Sequence, residues 1–256
     1  CGPKITELEK RLCGLTGAGY ATAVSNGTAA LHIACQAVGI QEGDEVITTP
    51  ITFAASANCA LYCGARPVFA DIDSQTYNID PARVAEKITD ATKAVVAVDF
   101  TGQAAPLDEL LALCREKGIV LIEDAAHSIG TRYNGRPVGS IADITTFSFH
   151  PVKTVTGGEG GAVLTNNREL YTKINLFRAH GITRDETLMR HPSQGGWYYE
   201  QIALGMNYRM TDIQAALICS QLDKLELFGR RRREIVERYN RAFENIPEVF
   251  VQKETE

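Results

Sequence analysis

A chain of 256 residues with 45% apolar side chains has room for one large α/β domain or two small ones. Its net charge of −5 argues against a nucleic-acid or anionic-membrane surface as partner, and no stretch reaches the ~20 apolar residues of a membrane span. Seven cysteines, an odd number without a Cys-x-x-Cys pair, suggest neither a disulfide framework nor a zinc site and fit a reducing, cytoplasmic compartment.

The predicted elements alternate along the chain. "KITELEKRLCGLTG" has the apolar spacing of an amphipathic helix, and "ATAVSN" is a short strand. "GTAALHIACQAVG" is a helix closed by Gly39. A strand "DEVITTP", a helix "TFAASANCALYCG" and a strand "RPVFADID" follow. "DPARVAEKIT" starts a helix with Asp80 as N-cap and Pro81 in the first turn. Then come a strand "KAVVAVDF", a helix "LDELLALCREKG" and a buried strand "IVLIEDAA". "ITTFSFH" and "GAVLTN" are strands, and "RELYTKINLFRAHG" opens a mostly helical remainder. Residues 182–204 lack periodicity and are expected to form a long functional loop. A long helical run is expected over residues 211–245, with a strand-like "VFV" after it. Its one basic run, residues 230–233, sits among Glu226, Glu234 and Glu237, as on a solvated helix face. This alternation implies an α/β fold with a mostly parallel sheet covered by helices on both faces.

Ligands of open α/β sheets bind beyond the carboxyl ends of the strands, and three polar clusters fall there. In "VSNGTAAL", a strand runs through Asn26-Gly27-Thr28 into a helix, whose first N–H groups can hold a phosphate. An ordinary helix cap explains the same residues, and neither G-x-G-x-x-G nor Walker A spacing is present. In "IVLIEDAAHS", Asp124 ends a buried strand, where a carboxylate needs a partner. A pyridinium N–H is one such partner; a cap on the following turn is the structural alternative. His127 supports Asp124, stacks on a ring, or is simply buried. In "FSFHPVKTVTGGEGG", Lys153 follows a strand and precedes a glycine-rich turn, with Ser148 five residues earlier. A single lysine is ordinarily a solvated charge, but here it joins a phosphate cradle and a pyridinium partner. Together they are the parts that pyridoxal 5′-phosphate (PLP) requires.

"VSNGTAALHIA", "TFAASANCALYCGARPVFADID", "IEDAAHSIG", "FSFHPVKTVTGGEGGAVLTNN" and "LGMNYRMTDIQAALICSQLDKL" together resemble the DegT/DnrJ/EryC1/StrS sugar aminotransferases, fold-type I PLP enzymes. The finer likeness is to the PseC-like subgroup acting on UDP-4-keto-6-deoxy-N-acetylhexosamines. The resemblance implies that Gly27, Thr28, Ala29 and Ser148 bind the cofactor phosphate and that Phe53 stacks on its ring. It implies that Asp124 pairs with the ring nitrogen, that His127 lies near the phenolic oxygen, and that Lys153 is the Schiff-base lysine and general base. Asn207 would reach the phosphate in a neighbouring subunit, so a homodimer with shared active sites is implied. Arg178, His180, Arg184, Tyr208 and Arg209 are candidates for the sugar diphosphate, and Trp197, Tyr198 and Tyr199 form either an apolar wall, a uracil stack or a packed loop. The implied reaction moves an amino group, with glutamate as donor, to C4 of a nucleotide-linked keto sugar. No metal is implied. The family's sugar dehydratases carry histidine where Lys153 stands, which favours transamination; a non-catalytic sensor domain is the other alternative. Residues 1–210 are expected to form the PLP-binding domain, lacking an N-terminal arm, and residues 211–256 the start of a truncated smaller domain.

Overall fold

The computed structural model describes residues 2–255. Cys1 lies outside them; the other six cysteines are free thiols. Helix α1 (Pro3–Thr16) leads into β1 (Tyr20–Val24) and α2 (Gly27–Val38). Next come β2 (Glu45–Thr48), α3 (Ala55–Tyr62), β3 (Arg66–Phe69), α4 (Pro81–Lys87) and β4 (Thr92–Val98). They are followed by α5 (Leu107–Lys117), β5 (Val120–Asp124) and a small hairpin, β6 (Arg132–Tyr133) with β7 (Arg136–Pro137). Strands β8 (Ile144–Ser148) and β9 (Gly161–Thr165) precede α6 (Arg168–Arg178). The chain then runs through β10 (Ile182–Thr183), β11 (Glu200–Gln201), α7 (Asp212–Leu222) and α8 (Leu225–Phe243).

Local chemistry sets the helix ends. The Asn26 side chain accepts the Ala29 N–H at 2.7 Å and starts α2. Asp80 caps α4 through Ala82 N–H with Pro81 in the first turn, and Thr211 and Gln214 form a capping box on α7. Gly39 ends α2 at φ 87°, a left-handed conformation that favours glycine. In α1, Ile5, Leu8 and Leu12 recur on one side and are buried, as helical spacing requires.

Seven strands form one sheet in the order β1-β9-β8-β5-β4-β2-β3. Strands β3, β2, β4, β5 and β8 are mutually parallel, as expected; β9 runs antiparallel to both β8 and β1. Residues 149–160, which join β8 to β9, contain no helix, whereas the crossover between parallel neighbours is usually helical. One sheet face carries Val46, Val96, Ile122, Ile144 and Val163 against α2, α3 and α6. The other carries Ile47, Val95, Leu121 and Leu164 against α1, α4, α5 and α7.

Three expectations are corrected. The helical run breaks at Asp223 and Lys224 into α7 and α8. Val249–Val251 form no strand; the Val249 N–H donates to the Ile246 carbonyl in a turn instead. The aperiodic stretch contains the short antiparallel pair β10–β11. Helix α7 buries Ala215, Ile218 and Cys219 in the core, whereas α8 buries none of its residues. No helix among the described residues is long and apolar enough to cross a membrane.

Candidate active site

A cleft of about 1150 Å³ opens beyond the carboxyl ends of β1, β2, β4, β5 and β8. It is lined by Asn26 to Ala29 after β1, Pro50 to Phe53 after β2, and Val98 and Phe100 around the end of β4. Asp124 and His127 come from β5, and Ser148, His150 and Lys153 from β8. The parallel strands thus deliver residues distant in sequence to one edge of the sheet.

Close backbone approach builds the cradle at one end. A Cβ at Gly161 would lie 2.4 Å from the Asn26 carbonyl oxygen, and one at Gly27 would lie 2.9 Å from the Ser148 Cβ. Only glycine at both places lets the β1–α2 turn settle against β8 and β9. The N–H groups of Gly27 and Thr28, at the start of α2, have no partner among the described residues. They point where a helix start favours an anion. Ala29 also lines the cleft, but its N–H is taken by Asn26.

Asp124 is 5% exposed at the cleft floor. Ser56 Oγ donates to its Oδ2 at 2.7 Å, and the Ala126 N–H donates to Oδ1 at 3.3 Å. Thr52 Oγ1 lies 2.7 Å from Ser56 Oγ, extending the chain of polar groups from α3 to the segment that precedes it. Burial raises the affinity of Asp124 for a proton; the Ser56 bond opposes this most, followed by Ala126, His127 and Lys153. Burial also lowers the Lys153 pKa, against the pull of Asp124. His127 is lowered first by loss of hydration and next by the Lys153 ammonium, with Asp124 opposing. The three groups therefore form one electrostatic unit. Its lysine loses a proton more readily than a free lysine does.

Of the residues singled out in the sequence, Gly27, Thr28, Ala29, Phe53, Asp124, His127, Ser148, Lys153 and Tyr208 line this cleft. Asn207, Arg178, His180, Arg184 and Arg209 do not line it. Arg178 instead donates to Glu9 at 2.7 Å and to the Ala23 carbonyl at 3.1 Å, joining α6 to α1 and β1. Arg184 borders a separate shallow groove with Glu186 and Tyr198. Trp197 packs edge-on against Tyr198, outside the cleft. Sequence reasoning missed Ser56, whose partner is 68 residues away. It also missed the bond between His32 Nδ1 and Tyr208 Oη (3.0 Å) at the cleft wall. A serine inside an alanine-rich helix gives no local sign of such a partner.

The donor set fits PLP. Unpartnered N–H groups and the Thr28 and Ser148 side chains suit a phosphate at one end, and the buried Asp124 suits a protonated ring nitrogen on the floor. Phe53, 74% exposed at the mouth, offers a ring face, and Lys153 offers an amine. Known proteins agree. The chain is 43% identical over 247 residues to the UDP-4-amino-4,6-dideoxy-N-acetyl-beta-L-altrosamine transaminase of Campylobacter jejuni, covering 95% of this chain and 62% of that protein. The structure of PseC from Helicobacter pylori, an aminotransferase of pseudaminic acid biosynthesis, superposes with a TM-score of 0.88 at 34% identity, covering 96% of this chain and 64% of that one. The PLP form of the putative sugar aminotransferase Spr1654 from Streptococcus pneumoniae gives 0.87 at 33%, covering 96% and 65%. The chain thus spans under two thirds of the length of these relatives. PLP is the cofactor that these structures and the family imply. The family model for the DegT/DnrJ/EryC1/StrS aminotransferases matches residues 1–256. With that match lying over a cleft of this chemistry, the chain belongs to the DegT/DnrJ/EryC1/StrS aminotransferase family.

Proposed function

We propose that the protein transfers an amino group from glutamate to C4 of a UDP-linked 4-keto-6-deoxy-N-acetylhexosamine. The observation that carries the aminotransferase reading is that the cleft brings together a half-buried lysine, Lys153, whose pKa burial lowers, and the buried Asp124 at its floor. The sugar is taken from the likeness to the Campylobacter transaminase.

PLP, when bound, supplies the carbonyl that accepts the amino group and the electron sink that acidifies the donor's α-hydrogen. The chain's own groups do the rest. Gly27, Thr28 and Ser148 hold the phosphate, and Asp124, kept in place by Ser56, holds the proton on the ring nitrogen. Lys153 takes the proton from Cα of the amino donor and later returns one to C4 of the sugar. Burial prepares it for both steps, because a lysine of ordinary pKa is almost entirely protonated near neutrality. Phe53 would stack on the ring, and His127 would lie near its phenolic oxygen.

In this account the working form is a cytoplasmic homodimer. Asn207, with His180, Arg184 and Arg209, faces the cleft of the neighbouring subunit and its sugar diphosphate. Helix α7 belongs to the PLP-binding unit, and the exposed α8 opens the smaller C-terminal unit.

The test is turnover of Lys153→Ala with glutamate and the UDP-keto sugar. The variant is expected to lose transamination while still binding PLP noncovalently. Full turnover by the variant refutes the assignment.

A further inference from the structure

Behind Asp124, on the other face of the sheet, lie two more carboxylates. Neighbouring residues of a strand point to opposite faces. Glu123 therefore faces away from Asp124, as its buried neighbour Leu121 does. Ala97 of β4 pairs with Glu123, which makes Asp99 its diagonal neighbour on the same face. Asp99 and Glu123 are both 0% exposed. Neither forms an ion pair among the described residues.

Their hydrogen bonds leave one vacancy. Thr145 Oγ1 donates to Glu123 Oε2 at 2.7 Å. The Ala105 N–H donates to Asp99 Oδ1 at 2.9 Å, and Ser128 Oγ donates to Asp99 Oδ2. Among the described residues Glu123 Oε1 is buried without a donor, and the Asp99 carboxyl is its diagonal neighbour on the same face. A buried acceptor lacking a donor is costly, and two adjacent buried anions repel. A single proton on the pair removes both penalties.

We propose that Asp99 and Glu123 share one proton, and that this singly charged pair is a positioning element for Asp124 and the turn bearing His127. The connections are direct. The Asp99 N–H donates to the Asp124 carbonyl at 3.1 Å. The Asp99 side chain holds Ser128, next to His127. Thr131 Oγ1 donates to the Gly102 carbonyl at 2.8 Å, tying the turn after Asp99 to the segment beyond His127. The groups acting on the pair are Asp124 beside it, the Thr145 and Ser128 hydroxyls, and the backbone at Ala105 and Gly139. His127 and Lys153 act on Asp124 from the cleft side. Burial and the mutual proximity of the carboxylates raise the proton affinity of Asp99, and burial holds Glu123 at about 7. With one negative charge rather than two behind it, Asp124 stays ionised more easily. That benefit rests on the proposed cofactor reading; the shared proton does not.

Infrared spectroscopy of the protein without added cofactor, at neutral pH in H2O and D2O, reads the proton directly. Wild type is expected to show a carboxylic-acid carbonyl band. The band is lost in Asp99→Asn and in Glu123→Gln, each of which keeps an N–H donor across the contact, and it persists in Asp124→Asn. Absence of the band from wild type, its survival in both amide variants, or its loss only in Asp124→Asn overturns the proposal. Positioning is read from PLP affinity by absorbance: Asp99→Ala weakens binding about tenfold, and Asp99→Asn restores it. Equal weakening in the two variants overturns the positioning role. If wild type shows the band and binds no PLP, the cofactor reading fails and the shared proton stands.

Discussion

Ser56→Ala isolates the support beneath Asp124. Ser56 is fully buried, and its hydroxyl makes the shortest bond to the carboxylate, 2.7 Å. It is also the strongest single influence keeping that carboxyl ionised against burial. A hydrogen bond to a charged group is worth about 1.5–3 kcal/mol. Its loss makes the ionised form of Asp124 less favourable by about that much and so raises its pKa. Alanine adds no bulk and leaves the Ala126 N–H bond in place. The assay is a carboxyl-carbon NMR titration of aspartate-labelled protein, with PLP affinity measured in parallel. An upward shift with about tenfold weaker PLP binding is expected. Thr52→Ala, which touches Ser56 but makes no hydrogen bond to Asp124, should shift Asp124 less. An unmoved Asp124 titration in Ser56→Ala refutes the reasoning, since among the described residues no other side chain donates a hydrogen bond to this carboxylate.

Other perturbations read other parts of the account. Gly161→Ala forces a methyl group against the Asn26 carbonyl and the Gly27 nitrogen; thermal melts should show a loss of about 1–3 kcal/mol, with weaker PLP binding, and a wild-type melt would contradict the packing described. Arg178→Ala leaves Glu9 with the Ala23 N–H but without its ion-pair partner, in a contact only 12% and 19% exposed on the two sides. Denaturant unfolding should register a loss of about 3 kcal/mol with PLP affinity unchanged, whereas intact stability with impaired sugar binding would return Arg178 to a substrate role. The carboxylate pair predicts a pH dependence. Asp99 and Glu123 bind a proton more tightly in the folded than in the unfolded chain. Their contribution is therefore full below the ordinary carboxylate range and falls as pH rises toward about 7. Stability measured across that window should decline by up to about 1.4 kcal/mol per pH unit for one proton, and Asp99→Asn should flatten the decline; identical slopes would contradict the pair.

The legible part of this protein was its local chemistry. Asn26, Asp80, Pro81 and Gly39 mark helix ends by their own stereochemistry, and each marks one here. Asp124 and Lys153 stood out because a carboxylate or an amine at the end of an apolar strand needs an explanation. The direction of β9 was less legible, because "GAVLTN" has the same pattern whichever way it runs. The helix-free link before it was the available clue. The break between α7 and α8 carries no proline or glycine, and nothing in "QLDKLEL" signals it. Ser56 and Asp99 were illegible for a different reason. Their partners are set by strand order, which brings β2, β4 and β5 side by side. Arg178 shows the reverse error, since a cation near the right motif was engaged by α1 across the fold.

The central claim is that Lys153 is the amine that meets the cofactor. Incubating the protein with PLP, reducing with borohydride and mapping the modified peptide tests this most directly. The account predicts a single stable adduct on Lys153, absent from Lys153→Ala. An adduct on another lysine, or none in a folded protein that has bound PLP, would contradict it.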